Sequence, residues 1–192
     1  MKTEGSDLTS GRAKVLMGVN GNVIWECSGL TDNAIPCPIV ENGVAYCMTG
    51  YQGFSLLAVP ISKRGDQSEN ILWKGNSGTP YVPSAVLYDG LLYFTQSNQA
   101  ILSCIDAQTG KVLMERTRLP GLSNVYASLV GAGNHVYVVG RYGKTVVLKR
   151  MGKFDLVATN TLGDRFDASP AVAGDQLFLR GHKFLYCIGK LN

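Results

Sequence analysis

The chain has 192 residues, 45% of them hydrophobic and only 17% charged, with 18 basic against 14 acidic side chains for a net charge of +4. That balance excludes a charge-extended disordered chain, and the 23 glycines cut the apolar residues into short runs that suit strands. No run approaches the roughly 18 apolar residues of a membrane helix, Met1–Ser10 lacks the apolar centre of a signal peptide, and the basic residues are scattered apart from Lys149, Arg150 and Lys153, which argues against a nucleic-acid interface.

Residues 1–13 read as a polar N-terminal segment. Lys14–Val19 and Asn22–Cys27 follow as two strands resembling the third and fourth of a four-stranded unit, a partial repeat over 14–27. Four fuller copies come next, at about 34–75, 81–116, 125–160 and 166–190. Each opens on a small residue and reaches an aromatic nine residues on: Cys37 to Tyr46, Ser84 to Tyr93, Ser128 to Tyr137 and Ser169 to Phe178. The openings lie 47, 44 and 41 residues apart, the period of four-stranded propeller blades. A second landmark follows each opening at 21, 20, 20 and 18 residues: Ala58, Cys104, Leu148 and Cys187.

In the second copy, Val82–Tyr88 and Leu91–Gln96 flank Asp89-Gly90, whose positive φ angles make a tight hairpin. Asn42-Gly43, Gly133-Asn134 and Gly174-Asp175 mark the same corner in the others. A third strand, Ala100–Ile105, leads through Asp106-Ala-Gln-Thr-Gly110-Lys111 into a fourth at Val112–Glu115. Such a sheet has two apolar faces, so units must stack.

Trp25 and Trp73 fall 48 residues apart near the end of a fourth strand, and Met114 holds that place in the second copy. Rings recurring at repeat spacing are packing between sheets. The five cysteines, Cys27, Cys37, Cys47, Cys104 and Cys187, lack the paired C-x-x-C spacing of a metal or redox site. Cys104 and Cys187 share a repeat position and read as small apolar residues in strand cores, with a disulfide among Cys27, Cys37 and Cys47 as the alternative. His135 and His182 read as loop histidines without a nucleophile in frame. Gly50-Tyr51-Gln52-Gly53 and Gly140-Arg141-Tyr142-Gly143 read as turns between second and third strands, because they lack the lysine and the helix of a phosphate loop.

The stretch Cys104-Ile-Asp106-Ala-Gln-Thr109-Gly110-Lys-Val-Leu-Met114 resembles the A-x-D-x-x-T-G-x-x-x-W blade pattern of the pyrroloquinoline quinone (PQQ)-like β-propeller proteins, departing only at its first and last positions. TPYVPSAVLYDGLLYF, LPGLSNVYAS and FDASPAVAGDQLFLRGHKFLYCI are similar to the closing half of exported bacterial members. The resemblance spans about 14–190. It implies an all-β propeller of four-stranded antiparallel blades over 14–192, with about four blades present as the C-terminal portion of a seven- or eight-bladed whole, and a periplasmic or other extracytoplasmic location. It implies two functional classes. One is a non-catalytic binding or scaffold propeller, similar in role to the lipoprotein that assists outer-membrane protein assembly. The alternative is a PQQ-dependent quinoprotein oxidising an alcohol or sugar with a divalent metal. No adjacent cysteine pair and no acidic and amide cluster for calcium is legible, so no catalytic, cofactor or metal residue is assigned, and the chain leans away from enzymes.

In such a fold, the loops joining second to third strands and those entering first strands emerge on one face. The first set carries Tyr51, Gln52, Gln96, Asn98, Arg141, Tyr142, Arg180 and His182, and the second Tyr81, Tyr126, Arg165 and Asp167. These twelve are the candidate binding residues, for a protein partner or a small ligand. An open arc of blades would also expose apolar faces and self-associate.

Overall fold

The computed structural model describes residues 12–16 and 21–189. Most of the polar N-terminal segment, and the end of the strand expected over Lys14–Val19, lie outside them. Every regular element among the described residues is a strand. The chain forms two compact units, Met1–Tyr81 and Val82–Asn192.

The first unit holds two sheets. β3 (Ile39–Glu41), β4 (Val44–Thr49), β5 (Ser55–Pro60) and β7 (Trp73–Gly75) form a four-stranded antiparallel sheet in chain order. β1 (Arg12–Leu16) pairs antiparallel with β2 (Val23–Ser28), as expected of a third and fourth strand. Unexpectedly, the two-residue β6 (Gly65–Asp66) leaves the β5–β7 connection and adds to β2 in parallel, Trp25 opposite Gly65 and Glu26 opposite Asp66, continued by Gln67 N–H donating to the Glu26 carbonyl at 2.7 Å. Residues between β5 and β7 thus serve the neighbouring sheet, which leaves only three residues for β7. The core between the sheets is made of Trp25 and Cys27 on alternate positions of β2 facing Ala45, Cys47, Leu57 and Val59. Alternation brings these side chains to one face, since Ala45 pairs with Val59 and Cys47 with Leu57.

The second unit holds β8 (Val86–Tyr88), β9 (Leu91–Thr95), β10 (Ile101–Asp106) and β11 (Val112–Arg118), then β12 (Val130–Ala132), β13 (His135–Val139), β14 (Lys144–Lys149) and β15 (Leu156–Thr161), each a four-stranded antiparallel sheet, and β16 (Ala171–Ala173), β17 (Gln176–Arg180) and β18 (Leu185–Ile188) as a three-stranded one. Tyr93, Leu102, Cys104 and Met114 on one face of the first pack on Val136, Val138, Val146 and Leu148 of the next. Val139 then packs on Phe166 and Leu179 beside the last sheet.

The opening hairpins share one register. Ile39 pairs with Tyr46, Val86 with Tyr93, Val130 with Tyr137 and Ala171 with Phe178, always two and nine residues after the opening residue. Asn42-Gly43, Asp89-Gly90 and Gly133-Asn134 take positive φ at both positions, the type I′ geometry that follows strand twist. Gly174 takes it at the fourth corner.

The opening serines have a role that the spacing alone did not disclose. Ser84 N–H donates to Ser128 Oγ at 3.0 Å, and Ser128 N–H donates to Ser169 Oγ at 3.0 Å, so each hydroxyl caps the amide of the preceding repeat. Val82 N–H is likewise taken by Asn98 Oδ1 at 3.0 Å. These side-chain acceptors hold Val82–Ala85 outside the ladder, which corrects the expected strand Val82–Tyr88 to the three residues of β8.

Two other expectations are corrected, and the second landmark acquires a structural meaning. Ala58, Cys104 and Cys187 pair with the aromatic of their repeat, Tyr46, Tyr93 and Phe178, whereas in the third repeat Tyr137 pairs with Val147, the residue before the landmark. Leu148 pairs with Val136 on the opposite face, because side chains alternate with period two. Cys187 is exposed although Cys104 is buried, since it is Leu179 and its partner Tyr186, on the opposite face of β17–β18, that pack on Val139 and Phe166. Trp25 is the third residue of β2 and is fully buried, whereas Trp73 opens β7, stays half-buried and leans on Tyr46 with ring centroids 5.9 Å apart.

The segment from Asp106 to Lys111 turns the chain from β10 into β11, as expected from its residues. Asp106 Oδ1 accepts Thr109 N–H at 2.8 Å and Thr109 Oγ1–H at 2.7 Å, Gly110 N–H returns to the Asp106 carbonyl at 2.9 Å, and Gly110 takes φ +72°. The Thr109 bonds hold the Asp106 carboxyl below the usual aspartate range. These bonds make the segment the turn that leads β10 into β11.

Candidate functional site

In the second unit the loops between second and third strands meet the loops entering the next first strands through backbone bonds at repeat-equivalent places. Val125 N–H donates to the Asn98 carbonyl and Phe166 N–H to the Arg141 carbonyl. Arg141 N–H donates to the Asn124 carbonyl and His182 N–H to the Arg165 carbonyl, all at 2.9–3.0 Å. The stitching places side chains from residues 124–126, 140–144, 164–167 and 180–184 side by side.

Four candidates form one connected group there. Asp167 Oδ2 accepts from His182 Nε2 at 2.9 Å, and Asp167 Oδ1 lies 2.7 Å from Arg141 Nε. An ionised carboxylate only accepts, so the proton of this His182 contact sits on Nε2. The Arg141 N–H is not aimed at the oxygen, so that contact is an ion pair rather than a hydrogen bond. The Arg141 guanidinium also lies 4.2 Å from the Tyr126 ring centre, in cation–π contact. The His182 bond, opposed by partial burial and helped by the Arg141 charge, holds the Asp167 carboxyl below the ordinary aspartate value. Arg165 lies 5.6 Å from the ring of Tyr142, whose side chain is 58% exposed.

The other candidates serve the fold. Gln96 Oε1 accepts Arg116 Nε–H at 3.0 Å, Asn98 holds Val82, and Arg180 Nε–H donates to the Gly181 carbonyl at 3.1 Å. In the first unit Tyr51 and Tyr81 stack with centroids 4.8 Å apart, Tyr81 OH accepts Asn33 Nδ2–H at 2.9 Å, and Gln52 turns the loop at φ +49°. Sequence reasoning missed Asp164, which organises the 181–184 turn. Its Oδ1 accepts Arg165 N–H at 2.7 Å, and its Oδ2 accepts Lys183 N–H at 3.0 Å, Phe184 N–H at 3.2 Å and Tyr186 OH at 3.3 Å. Withdrawal from water pushes its pKa up, yet these donors outweigh that and hold it below the usual value.

It missed Lys144 as well. Third-strand pairing makes Lys144 the counterpart of Ser55 and Ile101, so a charge stands where other repeats have none, and aligning the repeats on that strand would have revealed it. Two recesses sit at corresponding places. One of about 110 Å³ is lined by Ser123, Asn124, Arg141 and Lys144, and one of about 370 Å³ in the first unit by Thr31, Phe54, Ser55 and Lys74.

Among the described residues no group of three or more His, Cys, Asp or Glu side chains is placed to hold a metal ion. Burial pushes the Cys47 thiol up to about 12 and the Cys104 thiol up to about 11, so both remain protonated core groups rather than nucleophiles. No helix among the described residues is long and apolar enough to cross a membrane.

No protein-family model and no curated protein sequence matches the chain. Solved structures do. The computationally designed Ika4 protein aligns over 88% of this chain and 98% of its own at TM-score 0.69, and the designed Ika8 protein over 97% and 57% at 0.73, both with 12% identity. BamB from Moraxella catarrhalis aligns over 93% of this chain and 66% of its own at TM-score 0.52, again with 12% identity. The chain thus spans less than two thirds of Ika8 and BamB. At such identity the likeness speaks for architecture alone, and with the repeated antiparallel sheets it establishes an all-β fold of the β-propeller type.

Proposed function

We propose that the chain is a non-catalytic binding or scaffold propeller that grips a protein or small ligand with the loops of its second unit. The observation that carries this reading is the Tyr126–Arg141–Asp167–His182 group beside the exposed Tyr142 and Arg165. Tyrosine and arginine are the residues that dominate binding energy, and side chains already held by an ion pair and ring contacts lose little freedom when a partner arrives. His182 and Asp167 share the base-and-orienter geometry of hydrolases, but among the described residues no hydroxyl or thiol hydrogen-bonds to the other imidazole nitrogen. The pair therefore supports a shaped surface rather than a nucleophile. A PQQ-like family membership and an extracytoplasmic location belong to the same proposal and rest on the blade pattern.

The test is a screen of immobilised peptides and glycans with the purified chain, repeated with Tyr142→Ala and Arg165→Ala. A ligand whose affinity falls about tenfold in either variant, a loss of roughly 1.4 kcal/mol, with the melting temperature unchanged, supports the reading. Ligands indifferent to both substitutions, or sustained dye-linked alcohol oxidation after adding PQQ and calcium, would overturn it.

A further inference from the structure

The loops that converge in the second unit are unevenly charged. Segments 140–144, 162–170 and 180–184 carry Arg141, Lys144, Arg165, Arg180 and Lys183 against only Asp164 and Asp167. Both carboxylates are committed: Asp164 is buried under its four donors, and Asp167 is held between Arg141 and His182. Of these five cations only Arg141 is ion-paired among the described residues, and Lys144, like Arg165, Arg180 and Lys183, has no carboxylate within ion-pair distance.

Lys144 borders the 110 Å³ recess, which has no carboxylate in its wall. Arg141 forms another side of it, and Ser123 and Asn124 bring a hydroxyl and an amide to the rim. Gly121 leaves room for the lysine where it stands, because a Cβ there would come within 2.7 Å of Lys144 Nζ. The counterpart recess of the first unit has Ser55 at the Lys144 place and draws its cation, Lys74, from β7 instead. What distinguishes the second-unit recess is the pairing of a third-strand lysine with Arg141.

Resting on the loop-face reading, we infer that this recess is an oxyanion subsite, in which Lys144 and Arg141 take a single carboxylate or phosphate group borne by the partner. Pockets for whole drug-sized ligands begin near about 300 Å³, so a space of about 110 Å³ suits one charged group of a larger molecule whose remainder lies along Tyr142. Two cations lining one recess beside a hydroxyl and an amide suit the several lone pairs of such a group. The attraction is partly solvent-exposed and weakens with salt.

The experiment uses the full chain labelled with ¹⁵N and three probes: inorganic phosphate, a hexaglutamate peptide, and a neutral peptide bearing one phosphoserine. The expected result is salt-sensitive shifts at Gly121, Ser123 and Lys144, with affinity for the responding probe reduced about tenfold or more in Lys144→Gln and kept in Lys144→Arg. Response to hexaglutamate alone assigns a carboxylate, and response to the two phosphate probes alone a phosphate. Shifts absent from the recess with all three probes, or unchanged affinity in both Lys144→Gln and Lys144→Glu, would overturn the subsite. A partner weakened by Tyr142→Ala but not by Lys144→Gln would also sink this inference while leaving the loop-face function standing.

Discussion

Ser128 shows how one atom ties two repeats. Its Oγ is the acceptor for Ser84 N–H, so Ser128→Ala leaves a half-buried amide without its partner and should cost about 1–2 kcal/mol, read as a lower urea midpoint. Ser169→Ala removes the equivalent but more exposed bond to Ser128 and should cost less. Gly181 is needed for close approach: a Cβ there would sit 2.2 Å from Asp164 Oδ2, whereas one at Gly163 meets nothing within 4 Å. Gly181→Ala should therefore destabilise by about 1–3 kcal/mol, and Gly163→Ala should leave the thermal midpoint nearly unchanged. Asp167 sets a pH dependence of definite sign. Its folded-state pKa is depressed, so its contribution is complete above the unfolded-chain value and is lost as pH falls through the folded value. Acid titration followed by fluorescence should show a shallower acid limb in Asp167→Asn, and an unchanged limb would contradict the His182 and Arg141 contacts as its cause.

At the scale of elements, hairpins were the most legible part of the fold. Asn42-Gly43 and Asp89-Gly90 specify their turn by local backbone preference, so the four opening hairpins could be placed with their register from sequence alone. The third strands were less legible. Val146, Val147 and Leu148 are all apolar and all buried, so a one-residue choice between Val147 and Leu148 leaves no trace in composition and is settled only by pairing with Tyr137. β6 was not legible at all, because Gly65 and Asp66, both poor strand formers, become a strand only by pairing with β2 outside the β5–β7 sheet. The turn before β11 is local again. Thr109→Val should lose the hydroxyl bond to Asp106 and lower stability by about 0.5–1.5 kcal/mol, with no change in any binding constant.

For the molecule as a whole, burial declines toward the last sheet: Phe184 is 62% exposed, Leu185 68% and Ile188 44%. Apolar side chains left this open favour association, so the elution volume in size-exclusion chromatography with light scattering should depend on concentration, and Leu185→Lys should reduce that dependence. A concentration-independent monomer would contradict it. The sequence by itself determined the all-β class, the repeat period, the corners and the loops that carry the candidate residues, because hairpin chemistry and alternation are local and recur in every copy. Only the tertiary structure decided which of those residues meet. Tyr126, Arg141, Asp167 and His182 lie 15, 26 and 15 positions apart along the chain and come from loops joined by backbone bonds between sheets, while Gln96, Asn98 and Arg180, equal to them in composition, are consumed as supports. The reason is physical: a loop side chain becomes available or committed according to which donor or acceptor the neighbouring repeat presents to it, and that pairing across repeats leaves no signal within either one.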